Sequence, residues 1–305
     1  MSFNFQTKQQ VKEQFSQNQY ISNTNIDITI FNAVKLQAPL LIEGPAGVGK
    51  TEIAKVLAKI FQGELIRIQC YEGIDFSKVL YDYNYSKQLL YVNLLKENAK
   101  SLIQDKDLKS SIELLNKETD FFGEHFLMER PLLKAISPKD NRPKILLIDE
   151  IDKSDAEFES FLLEILSDFS VSIPEYGTIS AVDKPIVVLT SNGTRDLSEA
   201  LKRRCVYLYI DYPDPKTEAN ILVQKVNVEY DFANKIALAL QKIRRLSLKQ
   251  KPSIAETINW TKALLLILGV YEFNIENKGE IDETLNVLLK NHHDIKKLKS
   301  SNYLS

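Results

Sequence analysis

Residues 39–51 read Pro39-Leu40-Leu41-Ile42-Glu43-Gly44-Pro45-Ala46-Gly47-Val48-Gly49-Lys50-Thr51. The first five form a short apolar run of the kind that fills a buried strand. The next eight fit G-x-x-x-x-G-K-[ST]. Three of the chain's ten glycines fall within six positions here, so the backbone bends sharply or approaches something closely. Successive N–H groups of such a loop point inward and cradle phosphate oxygens. Lys50 to Phe61 follows with Ile53, Leu57, Ile60 and Phe61 on one helical face, and a helix N-terminus favours an anion. Strand, glycine loop and helix in that order assign Gly44, Pro45, Ala46, Gly47, Val48, Gly49, Lys50 and Thr51 to a nucleoside triphosphate. Lys50 is placed at the β/γ-phosphates and the Thr51 hydroxyl on Mg2+.

Working outward, Leu65 to Ile68, Ile145 to Ile148, Ile186 to Leu189 and Val206 to Ile210 read as further buried strands, and Ala156 to Phe169 as a helix. Strands alternating with helices predict a parallel sheet covered on both faces. The Ile145–Ile148 run ends in Asp149-Glu150. Adjacent carboxylates at a buried strand end are costly unless paired. Beside a triphosphate, Asp149 holds Mg2+ through water, and Glu150 orients and deprotonates the attacking water. Thr190-Ser191-Asn192 ends the next strand. Asn192 either bonds the γ-phosphate or the attacking water, or opens a turn with Gly193, and the two roles are compatible. Leu201-Lys202-Arg203-Arg204-Cys205 closes a helix. From there Arg203 and Arg204, taken jointly, can reach a neighbouring subunit's nucleotide as a charge-neutralising finger, although a cation also simply suits a helix C-terminus. Arg195 is a weaker candidate, read as surface. His292-His293 lack the partner ligands a metal needs.

Beyond Asp211-Tyr212-Pro213-Asp214-Pro215 only helical patterns remain, at about 216–228, 231–245, 253–268 and 281–291. The two prolines mark a boundary: residues 1–212 form the nucleotide-binding α/β unit and 213–305 a small helical one. Residues 96–118 read as a polar surface helix. In an extended segment Tyr81, Tyr83 and Tyr85 share one face, either gripping a client or packing on the core. The chain has 305 residues, 44% of them hydrophobic, enough for a sizeable core. No apolar stretch reaches membrane-span length, and MSFNFQTKQQVKEQF lacks the features of a signal peptide. Cys70 and Cys205 make no disulfide framework or zinc spacing, so the expected setting is cytoplasmic. A formal net charge of −2 is not the basic field of a protein that grips duplex DNA.

These stretches together resemble the AAA+ ATPases, specifically the MoxR family. The resemblance rests on PLLIEGPAGVGKTEIAK, FLMERPLLKAI, ILLIDEIDKSDAEFESFLLEILSDFSVSIPEYGTI, VVLTSN and EALKRRCVYLYIDYPD. The segment CYEGIDFSKVLYDYNYSKQLLY is similar to the CoxD-like subgroup, linked to carbon monoxide dehydrogenase maturation. The resemblance implies a P-loop AAA+ parallel-sheet sandwich with a C-terminal α-helical lid, binding ATP and Mg2+ between subunits of a ring, usually a hexamer. It implies a von Willebrand factor A-domain partner, and remodelling or metal-cofactor maturation of a protein client. It also implies a helix-interrupting hairpin over Asp75–Tyr91, a second hairpin over Ser170–Ser180, and a role for Gln69 in holding the catalytic Glu in check. Many relatives carry an Arg at the start of the third lid helix. Here that helix begins Pro252-Ser253-Ile254-Ala255-Glu256, a capping-box pattern, which leaves Lys251 or Arg244 as substitutes. The rival functions are a DNA-handling AAA+ motor and a nucleotide-gated scaffold with little turnover.

Overall fold

Five apolar runs of the sequence pair into one sheet. The computed structural model describes residues 3–102, 122–137, 142–174, 176–268, 277–301 and 303. The chain opens with two helices, α1 (Lys8–Gln17) and α2 (Thr24–Leu36). The sequence reading leaves both out. Helix α1 is mostly polar and buries only Val11 and Phe15, too sparse a stripe to stand out. Strand β1 (Leu40–Glu43), helix α3 (Lys50–Ile60) and strand β2 (Glu64–Gln69) follow. Next come β3 (Tyr81–Tyr83), α4 (Tyr85–Leu102), β4 (Leu127–Glu129), α5 (Pro131–Ile136) and β5 (Lys144–Asp149). Helix α6 (Ala156–Asp168) leads into β6 (Ser170–Ile173), β7 (Gly177–Ser180), β8 (Ile186–Ser191), α7 (Glu199–Arg204) and β9 (Val206–Tyr209).

The main sheet runs β2-β5-β8-β1-β9, with every neighbouring pair parallel. Alternate residues of a strand point to opposite faces, and each face has its own core. Leu41, Leu146, Ile148 and Leu189 pack with Leu132 and Leu162 on one side. Leu40, Ile42, Leu147 and Val188 pack with Phe15, Ile30 and Leu57 on the other. All six residues of β5 are buried, the pattern of a central parallel strand. The chain thus has an α/β fold built on a five-stranded parallel sheet, with helices following the sheet.

Those helices are α8 (Pro215–Val226), α9 (Tyr230–Arg245), α10 (Ile254–Leu268), α11 (Lys278–Glu283), α12 (Leu285–Leu288) and α13 (His292–Lys299). They bury a core of their own around Phe232, Ile236, Leu240, Trp260 and Leu285. The single helix expected over 281–291 is broken. The buried Thr284 hydroxyl accepts from Trp260 Nε1 at 2.7 Å and donates to the Ile281 carbonyl at 2.7 Å. The chain is extended again at Leu289. Among the described residues no helix is long and apolar enough to cross a membrane.

The hairpin at Ser170–Ser180 is present, with Ser170 opposite Ser180. The one expected over Asp75–Tyr91 is not. Tyr81–Tyr83 pairs instead with the distant Leu127–Glu129, and Asn84 starts helix α4 by accepting from the Lys87 N–H at 2.9 Å. An Asn with helix-forming residues behind it caps rather than turns. Tyr81 and Tyr83 therefore share a half-buried face packed on the core, while Tyr85 has left the strand and is exposed. The polar helix expected over 96–118 coincides with α4 as far as Leu102; residues 103–121 lie outside the described residues.

Candidate functional site

Strands β1, β5 and β8 end side by side, so the residues just past their carboxyl ends meet in one crevice, where open α/β sheets place their sites. The loop after β1 needs its glycines. A Cβ on Gly44, at φ +152°, would stand 1.9 Å from the Ile210 carbonyl oxygen. A Cβ on Gly47, at φ +74°, would stand 2.3 Å from Ser253 Cβ. Lys50 opens α3 and is buried. Its Nζ donates to the carbonyls of Gly44 and Pro45, each at 2.7 Å, and to Asn192 Oδ1 at 2.8 Å. Burial pushes its ammonium pKa down, and the nearby Asp152, Asp149 and Glu150 pull the other way.

Asp149 is buried at the end of β5. Its Oδ1 accepts from the Thr51 hydroxyl at 3.0 Å and the Thr190 hydroxyl at 2.5 Å; its Oδ2 accepts from Arg67 at 2.6 Å. Glu150 adopts the left-handed conformation, φ +57° and ψ +50°, which costs a non-glycine residue roughly 1–3 kcal/mol and is held only where surroundings enforce it. The enforcement is visible. The Glu150 N–H donates to Thr190 Oγ1 at 3.0 Å. Its carboxylate accepts from Gln69 Nε2 at 2.9 Å, Lys153 Nζ at 2.6 Å and Asn192 Nδ2 at 3.3 Å. Asn192 is held in turn by Asp152, which accepts from its N–H at 3.2 Å and from Thr194 through N–H and hydroxyl. Burial raises the Asp152 pKa, but these hydrogen bonds outweigh it and leave the carboxyl below its usual range.

A cavity of about 330 Å³ opens on Lys50, Thr51, Arg67, Asp149, Glu150 and Asn192. A second, of about 670 Å³, adjoins it across Gly47 and Gly49 and is lined by Tyr20, Ile21, Val48, Tyr212 and Ile258 among others. A small polar cavity beside a larger, partly apolar one suits a ligand with a charged tail and a flat ring. Among the described residues no group of three or more His, Cys, Asp or Glu side chains could hold a metal by itself. A hydroxyl and a carboxylate 3.0 Å apart, Thr51 and Asp149, do fit the few oxygen ligands a protein gives Mg2+ when phosphates and water supply the rest.

The remaining candidates lie elsewhere. Arg203 and Arg204 are exposed on the last turn of α7 and line neither cavity. Arg195 reaches the buried Glu159 carboxylate at 2.5 Å and the Ser154 carbonyl at 2.7 Å, a structural post. Arg244 is no substitute for the lid arginine. Its guanidinium is buried, with Nη1 and Nη2 each 2.7 Å from the Glu218 carboxylate. Lys251 is exposed and lines neither cavity. Ser253 and Glu256 form the anticipated reciprocal cap, at 2.8 and 3.2 Å. His292 and His293 begin α13, and among the described residues they join no group of three or more potential metal ligands. Sequence reasoning missed Arg67, Thr190, Asp152 and Lys153 as members of the network. Arg67 had a signal, since strand alternation puts it on the same face as Gln69.

The chain matches the family model described as AAA domain (dynein-related subfamily) over residues 39–205. Two uncharacterized proteins of Staphylococcus aureus, from strains bovine RF122 / ET3-1 and COL, are each 24% identical over 222 residues, covering 68% of this chain and 70% of theirs. Among solved structures, the Thermotoga maritima RuvB Holliday junction branch migration motor aligns with a TM-score of 0.46 and 18% identity, covering 92% of this chain and 70% of that one.

Proposed function

This chain belongs to the AAA domain family, dynein-related subfamily, and is by that membership an AAA ATPase with a P-loop for ATP; from that premise we propose that it cleaves the β–γ phosphoanhydride of Mg-bound ATP to reshape a protein client. One observation carries the reading. Lys50, Thr51, Asp149, Glu150 and Asn192 come from three separate strand ends yet line one cavity of about 330 Å³ beside a larger partly apolar one.

The geometry supports a role for each residue. Lys50 Nζ, now on two loop carbonyls, exchanges them for β/γ-phosphate oxygens, which a partly desolvated cation favours strongly. Thr51 and Asp149 would hold Mg2+, the latter through water, and the bound ion would supply charge neutralisation for the phosphates. Glu150 takes the proton of the attacking water. Asn192, hydrogen-bonded to both Lys50 and Glu150, ties the phosphate end to the base and positions the water. The base ring occupies the larger cavity near Tyr20 and Ile258.

The same proposal covers the assembly. The MoxR resemblance supports a ring, a hexamer, in which Arg203 and Arg204, exposed and lining neither cavity of their own subunit, act on a neighbouring subunit's nucleotide. Residues 1–212 form the nucleotide-binding unit and 213–305 the lid. Similarity of the CYEGIDFSKVLYDYNYSKQLLY segment to the CoxD-like subgroup points to metal-cofactor maturation of the client, with a von Willebrand factor A-domain partner, in the cytoplasm.

Titration with a fluorescent ATP analogue and a turnover assay test the core of this. Lys50→Ala should weaken binding. Glu150→Gln should bind like wild type but lose roughly 10²–10⁴ in turnover, the usual worth of a general base. Equal turnover by wild type and Glu150→Gln would sink the assignment.

A further inference from the structure

Arg67 has no role in the reaction described above, yet it stands in the middle of the site. Strand alternation puts Arg67 and Gln69 on the same exposed face of β2, between the inward-facing Ile66, Ile68 and Cys70. Strand register then sets Gln69 directly opposite Asp149. The result is a continuous chain of contacts. One Arg67 Nη2 donates to Asp149 Oδ2 at 2.6 Å and to Gln69 Oε1 at 2.5 Å. Gln69 Nε2 donates to Glu150 Oε2 at 2.9 Å. Asp149, Arg67, Gln69 and Glu150 are thus linked in series.

The lone pairs of Asp149 explain why this matters. Its Oδ1 already accepts from two hydroxyls, Thr51 and Thr190, and one oxygen has two acceptor sites. The site left for a cation, or for water on a cation, is therefore the second one on Oδ2, directly beside the Arg67 guanidinium. Two positive groups beside one carboxylate oxygen repel each other, with little solvent screening on the Asp149 side, where the carboxylate is only 5% exposed. Arg67 is the partner free to move. Its side chain is 53% exposed, whereas Thr190 is fully buried.

We propose that Arg67 is a positioning residue that couples cation binding at Asp149 to the freedom of Glu150. A divalent cation that engages Asp149 displaces the guanidinium. Gln69 then loses the donor that fixes its Oε1, and its amide no longer holds Glu150 firmly. The base is released toward water only when the cation is in place, which ties hydrolysis to a correctly loaded site. This rests on the reading that Asp149 faces Mg2+ and Glu150 the attacking water.

The test separates metal binding from nucleotide binding, using the full chain. Affinity for a fluorescent ATP analogue is measured in EDTA, and Mn2+ affinity by electron paramagnetic resonance with a non-hydrolysable ATP analogue bound. Arg67→Met removes the competing charge and keeps much of the stem. It should bind Mn2+ about fivefold tighter, the scale of a half-exposed ion pair, with unchanged affinity for nucleotide in EDTA. Gln69→Ala should tighten Mn2+ binding less, and the double variant should be less than additive, the signature of residues acting in one network. Arg67→Lys keeps the charge but not the fork; it should keep wild-type Mn2+ affinity and lose the coupling to Gln69. Unchanged or weaker Mn2+ binding by Arg67→Met, with a wild-type melt, overturns the coupling while leaving the site assignment intact. A large loss of nucleotide affinity in EDTA overturns it differently, by making Arg67 a phosphate ligand. If wild type itself binds no nucleotide, the function and the coupling fall together.

Discussion

Replacing Arg244 by Ala should destabilise the helical segment rather than silence a nucleotide contact. Arg244 is 8% exposed and Glu218 1%. The guanidinium makes two bonds of 2.7 Å to the carboxylate, one of 3.0 Å from Nε to the Pro252 carbonyl, and a longer one of 3.4 Å to Thr257 Oγ1. It also lies 4.4 Å from the Tyr212 ring centroid. Arg244 is on α9, Glu218 on α8, Thr257 on α10, and Tyr212 just past β9, so one side chain ties three helices to the end of the sheet. Removing it leaves Glu218 buried without its cation, and breaking such a pair costs about 3–5 kcal/mol. At about 2–4 °C per kcal/mol for a chain melting as one large unit, the melting temperature should fall by about 6–20 °C, and further if the helices melt alone. Replacing both partners, as Arg244→Met with Glu218→Leu, should recover most of the loss, because no uncompensated charge remains. Differential scanning calorimetry on wild type and the two variants reads this directly. A melt of Arg244→Ala within a degree or two of wild type, combined with lost ATPase activity, would refute the reasoning and return Arg244 to the role of a phosphate-sensing lid residue.

Two other outcomes follow. Subunits with Arg203→Ala and Arg204→Ala should lose turnover by roughly 10³–10⁵ and regain part of it when mixed with Lys50→Ala subunits, each supplying what the other lacks; mixed assemblies that stay dead in a turnover assay, with assembly verified, count against action in trans. Tyr83→Ala should destabilise the fold by roughly 1–3 kcal/mol, a half-buried ring costing less than a core aromatic, and lower the thermal melt accordingly, while Tyr85→Ala should leave it unchanged, since Tyr83 packs at 5.7 Å from Tyr81 and 5.5 Å from Phe122 and Tyr85 is exposed; equal losses from the two variants would restore the shared tyrosine face.

The parallel sheet was legible because its signal is local. Each strand is four to six residues long and built mainly on apolar or β-branched residues, and the candidate site groups sit at fixed offsets from strand ends. What the sequence hid depends on pairing across distance. Tyr81–Tyr83 looks like half of a local hairpin, but its partner is Leu127–Glu129, and no periodicity reports a partner that far away. The break at Thr284 depends on a hydrogen bond from Trp260, which only the folded core brings close. Arg244 looked free for the same reason: its carboxylate, Glu218, lies 26 positions upstream. Asn192 was the opposite case. The sequence allows a turn residue and a site residue at once, and the structure has Gly193 at φ +70° and the Asn192 side chain between Lys50 and Glu150.

The charges of the crevice bear on the proposal that a neighbouring subunit supplies arginines to it. Lys50, Arg67 and Lys153 face Asp149, Glu150 and Asp152, so the cations of the site are matched by its own carboxylates. A triphosphate brings more negative charge than one Mg2+ cancels, and the transition state redistributes it over the transferred and leaving oxygens. The loop N–H groups and the positive end of α3 offset part of that excess. They are present in the ground state too, and only interactions that strengthen in the transition state raise the rate. The subunit also holds cations that its own carboxylates leave nearly unclaimed. Arg204 makes no ion pair among the described residues, and Arg203 only a 3.9 Å exposed contact with Glu199. Exposed guanidinium groups cost little to redirect, because a surface pair of that length is worth next to nothing. Delivered from a neighbour into a crevice neutralised by its own residues, they would add positive charge without leaving any buried group unpaired. An arginine built into the same subunit's crevice would instead have to be paired there, as Arg67 is with Asp149, and would then have to be displaced before it could help.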